Sequence, residues 1–524
     1  MILRGYMNDG TNEHGVADLI FDLHRKGTKV WLDGTHLRYL APRGAITSED
    51  IDRLRALKSE IVEFLQTSPS HSEASDEPLQ PRLSSDRVPL RAVQRLTWNI
   101  NKLDKNPSEL SAFVTCLVGD LNVKALVAAF TELVRRHESL RTRIVCTEGV
   151  PWQDVYEARG PGLEISHLRG ESKDQRLFEA KKFVAKRFCE PVNVSVGPLF
   201  VARLLKLDER EHVLVISWDH IFNDIVSVTL LWRDLWTMYE QVKEGRPLQL
   251  PRVSVQFADY AVWEEKTSRT WMAKHGAYWR DRFSDARVLH AFPSENVAQA
   301  SGQGRRDLSI PFSEGVVTKL RQRCASERIS PMLGFLTAYA ASLLRWCELR
   351  DVTIHVPAVG RDYRELENTI GAIASGMLLR LKILENDSVL DFARQVVNEY
   401  VTAYDHGDFF RAQLYETTFP PFASFNWFSN EHNMKVVERL VPSLEMKPFA
   451  SAEALRHEGF ELGGEADPLE ITTLALFEGE HEVIGHIAYL PDRVTTQTVE
   501  RFAAKLREVI DVFIYTPDCP VMAI

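Results

Sequence analysis

Two hydrophobic periods meet in one short stretch of the chain. The run His212-Val213-Leu214-Val215-Ile216-Ser217-Trp218 is apolar and β-branched, the pattern of a buried strand. Ile225, Val228, Trp232, Leu235, Tyr239 and Val242 then recur three or four residues apart, along one face of a helix. Asp219, His220 and Asp224 lie between them. A strand end that feeds a helix start can hold a side chain in a cleft with little freedom.

The same patterns divide the rest of the chain. Residues 1–66 read as a unit of their own. A helix over Val16 to Lys26 is stopped by Gly27, strands follow at 29–32 and 36–41, and Thr47 with Asp50 opens a helix to about Gln66. Asp33-Gly34 between the two strands is a strong hairpin signal. An α-β-β-α unit of this size is marginal alone. Its bare hairpin edge invites a partner peptide to add a strand, unless the unit is a decorative extension.

Residues 67–86, rich in Ser, Pro and acids, read as a flexible linker. Beyond Arg87 come a helix over 121–136, the basic segment 136–143 and a helical bridge to about Arg282. Then follow a strand at 307–310, a helix at 330–346, strands at 351–357, 468–477 and 482–489, and a last helix over 498–514. This alternation predicts an α/β fold of two lobes, 87–264 and 265–524, meeting at a cleft.

Composition narrows the class. A 44% apolar and 26% charged content is that of a soluble globular protein, and 524 residues exceed one core. The sequence has no apolar run long enough for a transmembrane helix and no signal-peptide core, so a cytoplasmic protein without a membrane role is expected. Six scattered cysteines without a CxxC pair suit a reduced compartment and predict no metal site. A net charge of −10 argues against nucleic-acid binding. A monomer is expected.

Read physically, His220 is a base or proton shuttle for neutral pH, or a satisfied structural residue at a strand end. Asp224 caps the helix or pairs with an arginine. Arg141, in the basic segment, is the candidate partner that holds Asp224; His137 beside it reads as structural.

SWDHIFNDI, at 217–225, resembles the HHxxxDG signature of non-ribosomal peptide synthetase condensation domains, of the chloramphenicol acetyltransferase-like superfamily. The catalytic second histidine of that pattern falls on His220 and its aspartate on Asp224. Asp219 replaces the first histidine and Ile225 the glycine. RHESLRTR at 136–143 and VQFADYAVW at 255–263 resemble further family motifs, and Val88-Pro89-Leu90 with Gln94 and Trp98 another. In 360–371 the matching positions are Gly360, Arg361, Ile370 and Gly371; Ser375 stands where the family usually has asparagine. Ser424 to Trp427, with Asn426, resembles a strand facing the channel. VWLDG at 30–34 and LRYLAPRGAIT at 37–47 resemble β-hairpin docking domains, with Val30, Trp31, Leu32, Leu37, Arg38 and Tyr39 as docking residues.

The resemblance implies two chloramphenicol acetyltransferase-like lobes forming a V. It also implies transfer of an acyl group from a carrier protein's phosphopantetheine thioester to an amine or alcohol, free or carrier-bound. His220 would orient or deprotonate the acceptor, Asp224 would support the loop, and Asp219 would add charge beside His220. Backbone N–H groups at the start of the 225–242 helix would face developing negative charge. Ser217, Ile225, Ser227, Gly371, Ser375 and Asn426 would line the cleft. In Ile225 a β-branched side chain replaces a glycine that allows unusual backbone angles.

No cofactor would be covalently bound, the acyl arm being supplied by a carrier. The upstream carrier subunit would dock through a short C-terminal motif on the hairpin. The sequence has no adenylation phosphate loop, no LeuGlyGlyXSer carrier site (462–467 lacks the serine) and no GxSxG elbow, so the donor is expected in trans, with chain release as one outcome. Two alternatives stay open. Asp219, Asp224 and Ser227 also fit the DxxxxDxxS pattern of heterocyclisation domains, and a degenerate domain that only recruits partners fits Ile225.

Overall fold

The computed structural model describes residues 29–33, 36–40, 48–67, 77–83, 86–104, 110–158, 162–189, 194–284, 306–408, 422–428, 440–450, 470–479, 482–489 and 494–524, with isolated positions between. The first unit contains β1 (Lys29–Asp33) and β2 (His36–Leu40), an antiparallel hairpin with Val30 opposite Tyr39. Behind it lie α1 (Ser48–Ala56) and α2 (Lys58–Thr67) where one helix was expected. Leu19, Leu23, Val30, Leu54 and Ile61 form its small core. Gly34, residues 41–45 and 462–467, and the side chains of Trp31, Leu32 and Arg38 lie outside the described residues.

The expected linker ends sooner than its composition suggests. The Glu77 carbonyl accepts from Trp263 Nε1 at 2.8 Å, Leu79 is buried in the first lobe's core, and Arg82 bridges Asp259 (2.6 Å) and Glu138 (2.9 Å). One apolar and one basic side chain suffice to pin residues 77–83, and the average over a polar segment hides them.

The first lobe is built on β9 (Glu211–Asp219), a central strand of a five-stranded sheet. Its neighbours are β4 (Leu110–Gly119) and β8 (Phe200–Asp208); β7 (Glu164–His167) closes one edge. Side-chain alternation sends Leu214, Ile216 and Trp218 into the core with α4 (Val123–Arg136) and α6 (Ile225–Lys243). Val213 and Val215 pack on the other face under α5 (Lys173–Cys189). Burial on both faces explains why this strand reads as a continuous apolar run rather than an alternating one.

α7 (Phe257–Phe283) leads to the second lobe, a six-stranded sheet in the order β10 (Arg306–Phe312), β16 (Val483–Tyr489), β15 (Glu470–Glu478), β13, β11 and β12. The strands that matter below are β11 (Asp351–Ala358), β12 (Ser375–Lys382) and β13 (Phe422–Phe428). Helices Pro331–Trp346, Val389–Asp405 and Thr496–Tyr515 share its core. Two segments return to the first lobe. Leu366, Ile370 and Ile373 enter its core, and β14 (Leu444–Pro448) pairs antiparallel with β4. No described helix is long and apolar enough to cross a membrane, and the described residues hold no cluster of metal-binding side chains.

Candidate active site

His220 opens a one-turn 3-10 helix, His220–Phe222, between β9 and α6. Ile221 and Phe222 are buried while His220 is exposed, so the turn anchors itself and presents the imidazole. The buried Asp219 accepts from the Ile221 N–H at 3.0 Å and caps this turn. Its structural work is to hold the turn.

Asn223 was not picked out from sequence. Its Nδ2 donates to the carbonyls of Asp219 (2.9 Å) and Trp218 (3.3 Å), which fixes its amide orientation. Its Oδ1 then lies 3.4 Å from His220 Nδ1. A carbonyl oxygen there favours the Nδ1–H tautomer and leaves Nε2 with a lone pair. An asparagine three residues past the histidine, inside a tight turn, was the available signal.

Asp224 is where the two lobes are tied. It is the N-cap of α6 and accepts from the Ser227 N–H at 2.7 Å. Arg361 reaches both carboxylate oxygens, at 2.9 and 3.1 Å, and the N–H groups of Ile373 and Ala374 each donate at 2.9 Å. Burial pushes the Asp224 carboxyl up, but the Arg361 guanidinium and the Ser227 bonds outweigh it and hold the group below its usual range.

Arg141 is not the partner expected from sequence. It donates to the Tyr156 carbonyl at 2.6 Å and lies 3.9 Å from Glu138, closing the local turn. Arg361 takes the role because of Gly360. That residue has φ +68°, and a Cβ there would sit 2.4 Å from the Ile373 carbonyl oxygen, so the chain turns back on itself and aims Arg361 at the carboxylate.

Ser227 and Gly371 complete the tie. The buried Ser227 hydroxyl donates to the Gly371 carbonyl at 2.7 Å and accepts from Gly371 N–H (2.9 Å) and Arg361 (3.0 Å). A Cβ on Gly371 would meet the Phe257 ring at 2.3 Å. Gly371→Ala is expected to cost about 1–3 kcal/mol of stability, read by urea denaturation; an unchanged midpoint would show that Phe257 moves aside freely.

The other expected cleft residues disperse. Ser217 belongs to the Val213–Val215 face of β9; its Oγ lies 3.4 Å from Arg187 Nε on α5, away from the core face of Trp218. Ser375 is half-buried at the start of β12, and Asn426 is half-buried on β13. Ile225 is the first residue of α6, 46% exposed, and is absent from the positive-φ positions. The expected backbone conflict is therefore not met: isoleucine stands at an ordinary helix start. The helix N-terminus is likewise not an open anion site, since the Asp224 carboxylate already occupies its positive end.

Comparison with known proteins gives the family. Residues 84–523 match the Condensation domain, and residues 16–67 the TubC N-terminal docking domain. Gramicidin S synthase 2 of Brevibacillus brevis is 25% identical over 454 residues, 84% of this chain and 10% of that protein. Phosphinothricin tripeptide synthetase PhsC of Streptomyces viridochromogenes is 29% identical over 339 residues, 63% of this chain and 31% of that protein. The chain thus spans less than a third of either relative.

Among solved structures, the X-domain from teicoplanin biosynthesis has a TM-score of 0.73 at 21% identity, covering 85% of this chain and 99% of that one. The EpoB cyclization-docking bidomain from Sorangium cellulosum has a TM-score of 0.68 at 19% identity, covering 96% and 99%. These likenesses carry the fold. The chain belongs to the condensation-domain family of non-ribosomal peptide synthetases, with a TubC N-terminal docking domain ahead of it.

Proposed function

We propose that the chain transfers an acyl group from a carrier protein's phosphopantetheine thioester, delivered in trans, to an amine or alcohol. The observation that supports this reading most is the exposed His220 on a turn whose other members are buried or hydrogen-bonded. A side chain with only a structural role has no need of such a mount.

The acceptor N–H or O–H sits against the thioester carbonyl, and His220 Nε2 takes its proton as the new C–N or C–O bond forms. Collapse of the tetrahedral adduct breaks the C–S bond, and the same proton passes to the departing sulfur. The carrier leaves with its free thiol. Asp224 and Asp219 act on the turn and not on the substrate, while Asn223 holds the imidazole tautomer. Asn223→Ala removes the hydrogen bond to His220, of about 1 kcal/mol, together with the two bonds that brace the turn, so kcat is expected to fall at least roughly fivefold with KM unchanged. A raised KM with intact kcat would place Asn223 in acceptor binding instead.

The docking unit supplies the donor. Its described hairpin buries Val30, half-buries Leu37 and exposes Tyr39, leaving strand edges for a short extended motif at the C-terminus of the carrier subunit. The test is intact-protein mass spectrometry of an acyl-loaded carrier bearing that tail, with a panel of amines and alcohols. Acceptor-dependent unloading is expected, its product mass separating amide from ester. Deleting residues 1–66 is expected to abolish the advantage of the tail while leaving unloading by concentrated, untailed carrier intact.

A second reading, recruitment of a partner without turnover, is favoured by Ile225 in the glycine position beside the histidine turn. Tail-dependent binding with no unloading by any acceptor would select it. Heterocyclisation gains nothing from the geometry: Asp219, Asp224 and Ser227 are each engaged in bonds that hold the turn or tie the lobes.

A further inference from the structure

The ion pair of Asp224 with Arg361 joins the two lobes beside the histidine turn, and an exposed apolar side chain flanks it from each lobe. Ile225, next to Asp224, is 46% exposed; Val359, two residues before Arg361, is 41% exposed. Single exposed apolar residues are ordinary on a protein surface. These two stand instead on either side of one buried ion pair, next to the turn that presents His220.

Each has a local reason for its direction. Ile225 is the first residue of α6, and the Cα–Cβ bonds of a helix tilt toward its N-terminus, so the side chain leans back over residues 220–224. Its β-branch leaves one preferred rotamer there, which makes it a stiff wall. Val359 follows β11, whose Ile354, Val356 and Ala358 pack on the second lobe's core. Carried one residue further, the alternation turns Val359 to the opposite face. Its carbonyl accepts from Arg361 Nη1 at 3.4 Å, the same atom that donates to Asp224 Oδ2 at 2.9 Å. Val359 is thereby fixed against the carboxylate that caps the helix of Ile225.

Neither side chain donates or accepts a hydrogen bond. An aminoacyl or peptidyl thioester carries a nitrogen on the carbon next to its carbonyl. In a peptidyl donor that nitrogen belongs to an amide, whose N–H and C=O need partners once water is removed. A plain acyl thioester has a methylene there and loses nothing against an apolar wall. Ile225 also fills volume that the glycine of the HHxxxDG pattern leaves open. Every donor arrives on the same phosphopantetheine arm, so the acyl group is the part by which the cleft tells donors apart.

We infer that Ile225 and Val359 select the donor, and that it is an acyl chain with an unsubstituted carbon next to the thioester carbonyl rather than an aminoacyl or peptidyl group. The inference rests on the acyl-transfer reading. The two side chains touch the acyl chain beside the reacting carbonyl and take no part in proton transfer. The product is the amide or ester of a simple carboxylic acid, with the carrier thiol set free.

The experiment loads one tailed carrier with hexanoyl or with N-acetylnorleucyl, which adds an acetamido group to the same chain. Unloading by the full chain is followed by intact-protein mass spectrometry with the panel of amines and alcohols. Wild type is expected to use hexanoyl about ten- to hundredfold faster, the range over which an apolar pocket discriminates. Ile225→Gly is expected to close most of that gap by raising the rate on N-acetylnorleucyl, a gain that loss of folding cannot imitate. Val359→Thr keeps the shape of the wall and adds a hydroxyl, and is expected to move the ratio the same way.

Equal rates on the two donors, or a ratio unchanged in both variants, overturns the inference and leaves acyl transfer standing. An Ile225→Gly effect confined to the choice of acceptor does the same. Unloading of neither donor with any acceptor, alongside tail-dependent binding, overturns the transfer reading and the inference together.

Discussion

Alanine at position 220 is expected to stop carrier unloading without weakening the fold. Removing a positioned base costs about 10²–10⁴ in rate, and His220 is exposed, so its stability cost should stay within about 0.5 kcal/mol. The turn does not depend on the ring: Asp219 caps it through the Ile221 N–H, and Asn223 braces it through two backbone carbonyls. Single-turnover mass spectrometry and calorimetric unfolding of the same preparation read both quantities. A variant that keeps a tenth of the rate would remove His220 from the chemistry. One that loses rate and melts early would make it structural.

Arg361→Ala is expected to be the most destabilising single change at the site, at about 3–5 kcal/mol. It leaves the buried Asp224 carboxylate with three N–H donors and no counter-charge. The double variant with Asp224→Ala should recover part of the loss, because the uncompensated charge is gone.

The pH dependence carries a sign. The Asp224 carboxyl is held below its ordinary value of 3.8, so its stabilisation is complete above that pH and is lost as pH falls through the lower folded value. Arg361→Ala should remove that acid dependence, whereas Arg141→Ala should keep it. Urea midpoints measured at several pH values from about pH 5 downward decide the matter; equal losses from the two arginine variants would contradict the assignment.

The contrast between these two arginines shows what sequence can and cannot carry. Periodicity placed the strand and helix around His220 within a residue or two, because burial on fixed faces leaves a periodic trace. It also held the answer for Ser217, which shares the parity of Val213 and Val215 and so faces α5. Arg361 lies 137 residues from Asp224, and a pairing across lobes leaves no period to read. Arg141 was nearer in the chain and equally basic, which is all that proximity in sequence offers. The local signal was the glycine before Arg361, whose left-handed turn aims the side chain.

Asp219 and Asn223 show the same limit at shorter range. Their residue types are those of a turn, but which carbonyl or amide each meets depends on packing beneath it.

The pinning of residues 77–83 sets the length of a leash. Ten peptide steps separate Thr67, where α2 ends, from Glu77, whose carbonyl is fixed on Trp263. Even fully drawn out they reach about 35 Å. Whatever the hairpin captures is thus confined to a small sphere around one end of α7, where tethering raises its effective concentration to the millimolar range. On the proposed transfer, a feeble carrier–cleft affinity is then enough for turnover, and a spent carrier can depart quickly. Lengthening the leash, with no contact altered, would dilute the donor and slow the assembly line.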